Sequence, residues 1–244
     1  MAALENRLSN QFIPLHVLFV FVMSLAFVFS SNSTAYVSSA TSNVGEEQTE
    51  AMALLMWKAS LDNHSQSLLS SWNASSHCNW VGIGCNKAGR VTHIDLESYG
   101  FRGTLSNLSF ISFHHLLGLK LYNNSIYDTI PSQIGSLSRL TNLSLSNNHL
   151  SESIPQEVGL LRSLIELDFS ENNLTGSIPS SVGNLGNLTF LSLRGNQLSG
   201  SIPKEVGLLR SLSKLGLYYN NLMGSIPFSI GNLGNLAMLF PYKN

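Results

Sequence analysis

The chain has 244 residues, with 13 Lys or Arg against 14 Asp or Glu and a formal charge of −1, so it offers no basic stripe and nucleic acid is excluded as a partner. Only 11% of residues are charged while 43% are hydrophobic, enough for a continuous core once an apolar leader is set aside. The cysteine count is two, which excludes a densely cross-linked scaffold.

The first element is that leader. A polar start with Arg7, the apolar run Val17 to Phe29, and the small residues Ser30 to Ala35 describe a secretory signal peptide over 1–35, cleaved after Ala35 or Ala40. The apolar run of thirteen residues is short for a membrane span. Residues 36–48, rich in Ser, Thr and Glu, read as a disordered spacer.

Residues 49–90 form a separate block. Ala51, Leu54, Leu55, Lys58 and Leu61 predict an amphipathic helix over 49–61, and a second short helix is expected over 65–72. Cys78 and Cys85 follow, with six residues between them. Behind a signal peptide, so close a lone pair reads as a disulfide, worth roughly 2–3 kcal/mol on the chain-entropy account. The spacing does not fit a C-x-x-C redox or metal pair, and His77 is an isolated neighbour.

Repeats occupy 91–235. The first, Val91-x-x-Ile94-x-Leu96, carries Tyr99 and Phe101 at its turn, and its return segment over 106–115 is irregular. Leucines at 116, 140, 164, 188, 212 and 236 then open copies at a 24-residue period, and the first five of these read L-x-x-L-x-[LF]-x-x-N-x-[LI] before an Ile-Pro pair. Such a period marks a solenoid of leucine-rich repeats. Alternation around L-x-L gives a short strand with leucines inward, and neighbouring copies stack those strands into one parallel sheet. The asparagines Asn124, Asn148, Asn172, Asn196 and Asn220 sit at the turn after each strand, where the amide can satisfy backbone groups in its own coil and the next. Gly176, Gly200 and Gly224 suit a turn before Ile-Pro; Asp128 and Glu152 stand where that glycine is expected, so those two turns should differ. The segment after each proline is expected to return as a 3₁₀ or helical turn. PQEVGLLRSL from Pro155 recurs as PKEVGLLRSL from Pro203, and PSSVGNLGNL from Pro179 as PFSIGNLGNL from Pro227, so the unit of duplication is 48 residues. Residues 236–244 are an incomplete seventh repeat, with Pro241 where an inward leucine belongs.

A-L-L-x-W-K-x-S-L from Ala53, Ser71-Trp72, the cysteine loop with Trp80 and Gly82, and G-R-V-T-H-I-D-L from Gly89 resemble the N-terminal cap of plant leucine-rich-repeat receptor-like kinases. The L-x-G-x-I-P tails resemble the plant-specific class of the repeat. The resemblance implies an α/β repeat solenoid: a helical cap, a right-handed superhelix, a parallel concave sheet, and a second short sheet from the segments before Ile-Pro. It also implies an ectodomain that binds a peptide or partner receptor, such as a co-receptor, outside the cell, with a kinase inside. This chain shows no kinase motif or stop-transfer run, so the reading is of a receptor ectodomain truncated before those parts. The alternatives are a secreted inhibitor similar to the plant polygalacturonase inhibitors, which carry more cysteines, or a non-functional remnant.

No enzyme, cofactor or metal chemistry is legible. The histidines at 16, 64, 77, 93, 114, 115 and 149 have no ligand spacing. Glu166 and Asp168 face the same way about 6.6 Å apart, a separation compatible with an inverting glycosidase, but an open sheet provides no enclosing pocket. The functional surface is the outward face of the strands, about 25–30 Å long at about 4.8 Å per strand. Tyrosine and arginine are the residue types that dominate binding hot spots, which selects Tyr122, Arg194, Tyr218 and Tyr219; Lys120 and Asp168 complete the candidate ligand-binding set. Glycosylation sequons begin at Asn32, Asn63, Asn73, Asn107, Asn123, Asn142, Asn173 and Asn187.

Overall fold

The computed structural model describes residues 38–73 and 76–240. The expected leader over 1–35, the sequon at Asn32 and the proline at 241 lie outside them. The cap and the repeats belong to the unit that runs from Ala40 onward.

Helix α1 spans Ser38–Ser60, so most of the stretch expected as a spacer is helical. The sequence from Ser38 to Ser60 has no proline and a single glycine, Gly45, and the Thr49 hydroxyl donates to the Gly45 carbonyl at 2.8 Å. The buried stripe also differs from the expected one: Glu50, Ala53, Leu54, Trp57 and Leu61 are buried, whereas Ala51, Leu55 and Lys58 are half-buried. Helix α2 spans Asn63–Leu68, and Asp62 caps it by accepting from the Ser65 N–H at 2.8 Å. Trp57, Trp72 and Trp80 pack in series, with ring centroids 6.2 and 5.6 Å apart. The Trp57 indole donates to the Thr104 carbonyl and the Trp72 indole to Val81. Cys78 and Cys85 are disulfide-bonded.

Strand β1 (Ile83–Cys85) runs antiparallel to β2 (Val91–Asp95) and closes one edge of an eight-stranded sheet. The other strands of that sheet are parallel: β4 (Gly118–Lys120), β6 (Asn142–Ser144), β8 (Glu166–Asp168), β10 (Phe190–Ser192), β12 (Lys214–Gly216) and β14 (Met238–Phe240). Covering the first edge removes a row of unpaired backbone groups and shields the first leucine layer. One inward residue per strand, including Leu119, Leu143, Leu167, Leu191 and Leu215, has an exposure of 1% or less. Five repeat copies return through a 3₁₀ turn directly after proline, as in Gln156–Leu160 and Lys204–Leu208. There the coils nearly touch: a Cβ on Gly135 or Gly183 would stand 2.7 or 2.6 Å from a carbonyl of the next coil.

The segments before Ile-Pro form the second sheet, as a four-stranded set, β3 (Arg102–Gly103), β5 (Ser125–Asp128), β7 (His149–Ser153) and β9 (Asn173–Thr175), and a two-stranded set, β11 (Ser199–Gly200) and β13 (Asn221–Leu222). A Ser199 N–H to Gly176 carbonyl bond of 2.7 Å joins the sets. The expectation that Asp128 and Glu152 make different turns is corrected: their φ of 73° and 61° match the 71° of Gly176. Ladder bonding between coils holds the backbone of Asp128 and Glu152 in the left-handed region despite the cost of a Cβ there.

The asparagines bridge their own coil and the one before it, not the one after. In Asn148, Oδ1 accepts from the Ile126 N–H while Nδ2 donates to the carbonyls of Leu121, Leu145 and Ser146. A further ladder, not foreseen from the sequence, joins the 3₁₀ ends: Ser163, Asn187, Ser211 and Asn235 each donate to a carbonyl of the preceding coil at 2.9–3.0 Å. Serine and asparagine alternate in it, which is how the 48-residue duplication appears in space.

Candidate recognition face

The register of the parallel strands sorts the solvent face into columns. Side chains two apart on a strand share a face, so each strand contributes its first and third residues, and the turn beyond adds two more. The first column is His93, Gly118, Asn142, Glu166, Phe190 and Lys214. The second is Asp95, Lys120, Ser144, Asp168, Ser192 and Gly216. Glu97, Tyr122, Ser146, Ser170, Arg194 and Tyr218 follow, then Ser98, Asn123, Asn147, Glu171, Gly195 and Tyr219.

The candidate residues fall in two groups on this face. Lys120 is ion-paired with Asp95 at 3.4 Å. Beside it, the Glu97 carboxylate holds the Tyr122 phenol above its usual range. Asp168 is turned along its own strand, accepting from the Ser170 N–H and hydroxyl at 3.0 and 2.6 Å. One coil on, Arg194 pairs with Glu171 at 2.6 Å and lies over the Tyr218 ring, 5.7 Å from its centroid. Tyr218 meets Tyr219 edge-on at 5.1 Å. Tyr219 is half exposed and has a φ of 56°, in a region costly for a bulky residue. The geometry thus gathers Arg194, Tyr218 and Tyr219 into one cluster and leaves Lys120 and Tyr122 in a separate polar network.

The candidate ligand-binding set contains no residue of the first column, although Glu166 faces the same way as Asp168. The signal of that column was present: Asn142, Glu166, Phe190 and Lys214 recur at the 24-residue period. Asn142 Nδ2 donates to Glu166 at 2.8 Å. A small cavity of about 110 Å³ lies among Lys120, Asn142, Ser144, Glu166, Asp168 and Phe190.

The sequons are scattered over the coils. Asn63, Asn73, Asn107, Asn123, Asn173 and Asn187 are exposed, whereas Asn142 is half-buried within β6. Asn123 donates to Ser98 and accepts from Asn147 on the face. His77 lies beside the cysteines, but their sulfurs are bonded to each other and offer no thiolate pair. Among the described residues no helix is long and apolar enough to cross a membrane.

The leucine rich repeat N-terminal domain profile matches residues 47–86, and the leucine rich repeat profile matches 139–161, 163–185, 187–209 and 211–233. A chain in the crystal structure of the BIR3–SERK2 complex from Arabidopsis thaliana is 37% identical, with 95% of it and 72% of the present chain covered at a TM-score of 0.63. The chain belongs to the plant leucine-rich-repeat receptor-kinase family. Another member, the Arabidopsis receptor kinase HAESA ectodomain in complex with an IDA peptide hormone ligand, is 36% identical at a TM-score of 0.73, with 80% of this chain and 33% of that one covered. The leucine-rich-repeat receptor-like serine/threonine-protein kinase RGI4 of Arabidopsis thaliana is 40% identical over 93 residues, 37% of this chain. The chain spans about 8% of the length of the curated receptor kinases it matches.

Proposed function

We propose that the chain is an extracellular recognition module that binds a peptide or a partner receptor through the solvent face of its parallel sheet, and that it recognises rather than catalyses. The carrying observation is the cluster of Arg194, Tyr218 and Tyr219. It places a guanidinium and two phenol rings, the groups that concentrate binding energy at interfaces, on an open surface. The complexes of HAESA with IDA and with the co-receptor SERK1 support the class of partner. The sequon asparagines Asn63, Asn73, Asn107, Asn123, Asn173 and Asn187 are exposed, as glycosylation in a secretory pathway requires.

The test is selection of displayed random peptides on the secreted protein, followed by replacement of Arg194, Tyr218 and Tyr219 together by Ala. Loss of binding by at least ten-fold, with an unchanged unfolding midpoint, is the expected result. Undiminished binding by the triple variant moves recognition to the flanks or the cap.

A further inference from the structure

The first column of the sheet face carries a charge arrangement that the cluster above does not use. Glu166, Phe190 and Lys214 are register partners on three successive strands. An acid and a base therefore flank an aromatic ring, separated by two strand spacings, about 9.6 Å. The ring of Phe190 is half-buried between Glu166 and Lys214, in a column that continues to Met238 beyond Lys214, so apolar and charged side chains alternate along this stretch.

The ion pairs show which charges remain available. Lys120 is committed to Asp95, and Arg194 to Glu171. Glu166 and Asp168 accept only neutral donors, Asn142 and the Ser170 groups, and Lys214 makes no ion pair among the described residues. The face therefore has uncompensated negative charge at β8 and uncompensated positive charge at β12. The register neighbours of Lys214 are Phe190 and Met238, so neither adjacent strand sets a carboxylate beside it in this column.

A peptide in the polyproline II conformation has three residues per turn and advances about 3.1 Å per residue, so side chains three residues apart share a face at about 9.3 Å. That spacing matches the Glu166 to Lys214 separation, with the intervening residues over Phe190. We propose that Glu166, Phe190 and Lys214 form a subsite for a peptide in this conformation that sets a cationic side chain against Glu166 and Asp168, the intervening residues across Phe190, and a carboxylate on Lys214. The proposal rests on the reading that this face binds peptides, and it names the chemistry of one stretch of the ligand. Asn142 orients Glu166 from the adjacent strand, so the subsite requires an Asn142 side chain without a glycan.

The test uses two end-blocked hexapeptides of identical composition, Gly-Arg-Leu-Gly-Glu-Gly and Gly-Leu-Arg-Glu-Gly-Gly, titrated into the isotope-labelled secreted protein at low salt. The spaced peptide should bind about five- to ten-fold more tightly and shift the amide resonances of Glu166, Phe190 and Lys214. Each exposed charge pair accounts for a few-fold of that preference. In the Lys214→Glu variant the preference should pass to Gly-Arg-Leu-Gly-Arg-Gly, a gain that a merely structural role for Lys214 does not produce. Equal binding of the two spacings, failure of Lys214→Glu to change the preferred peptide, or a glycan found on Asn142 by mass spectrometry overturns the subsite. Shifts confined to Arg194, Tyr218 and Tyr219 overturn it while leaving the face as the recognition surface. No shift anywhere on the face rejects both readings.

Discussion

An amide side chain offers two donor hydrogens and an acceptor oxygen, and the turn after each strand uses them all. Asn172 accepts from the Leu150 N–H and donates to the carbonyls of Leu145, Phe169 and Ser170, all at 3.0–3.2 Å. A leucine there would match the volume and leave those groups dry and unpaired. Replacing Asn172 by Ala should cost about 1–3 kcal/mol, the penalty for stranding buried polar groups, measured as a lower urea midpoint at unchanged slope. A loss within a few tenths of a kcal/mol means that water enters the turn and replaces the amide. Residue chemistry also explains Asp128 and Glu152. Their turn needs a left-handed backbone, glycine supplies it at least cost, and these coils adopt it with an acidic residue instead.

At the scale of the element, the cap helix α1 is tied to the first coil by a buried carboxylate. Glu50 accepts from the Arg90 guanidinium at 3.1 Å and from the Val91 N–H at 3.0 Å, with the His77 ring 3.8 Å away. Burial pushes its carboxyl up to about 7 from the ordinary 4.5, against the lowering effect of the Val91 N–H. The folded protein then holds a proton between pH 4.5 and 7 that the unfolded chain has released. Stability is therefore greatest below about 4.5 and falls as pH rises through 7, with a limiting slope of about 1.4 kcal/mol per pH unit. Urea midpoints between pH 5 and 7.5 should fall in the parent protein and lose this component in Glu50→Gln. A rise over that interval, removed by Glu50→Gln, would show that the Arg90 charge keeps Glu50 ionised despite burial.

For the whole molecule, cohesion passes from coil to coil. In a quasi-one-dimensional array each coil is held by its neighbours, so stability varies along the chain. Leu164, Leu167 and Leu188 are fully buried, whereas in the last described coil Leu222 and Leu233 are 8% and 5% exposed and Ile226 is 51% exposed. The 3₁₀ turn Phe228–Asn232 buries no residue, unlike those before it. Amide hydrogen exchange should release the last described coil first and protect the coil around Leu167 longest. Equal protection would mean that something covers that surface in solution.

The 24-residue period determined the coil, its inward leucines, its asparagine turns and the stacking of its strands, because a unit that cannot bury its apolar face alone must stack on copies of itself. The cysteine pair and the leader-like start likewise pointed to an extracellular setting from local pattern. Neighbouring backbones decided what spacing could not. They impose the same left-handed turn on Asp128 and Glu152 as on glycine, and they turn the asparagine amides toward the preceding coil. They also make glycine necessary at Gly183, where the next coil's carbonyl leaves no room for a Cβ. The buried stripe of α1 was misread because Glu50 looks solvent-facing until Arg90 and Val91, distant in sequence, supply its partners. The recognition face was half legible: the 24-residue period sets Glu166, Phe190 and Lys214 in one row, but only the folded coils show which charges pair, Lys120 with Asp95 and Arg194 with Glu171.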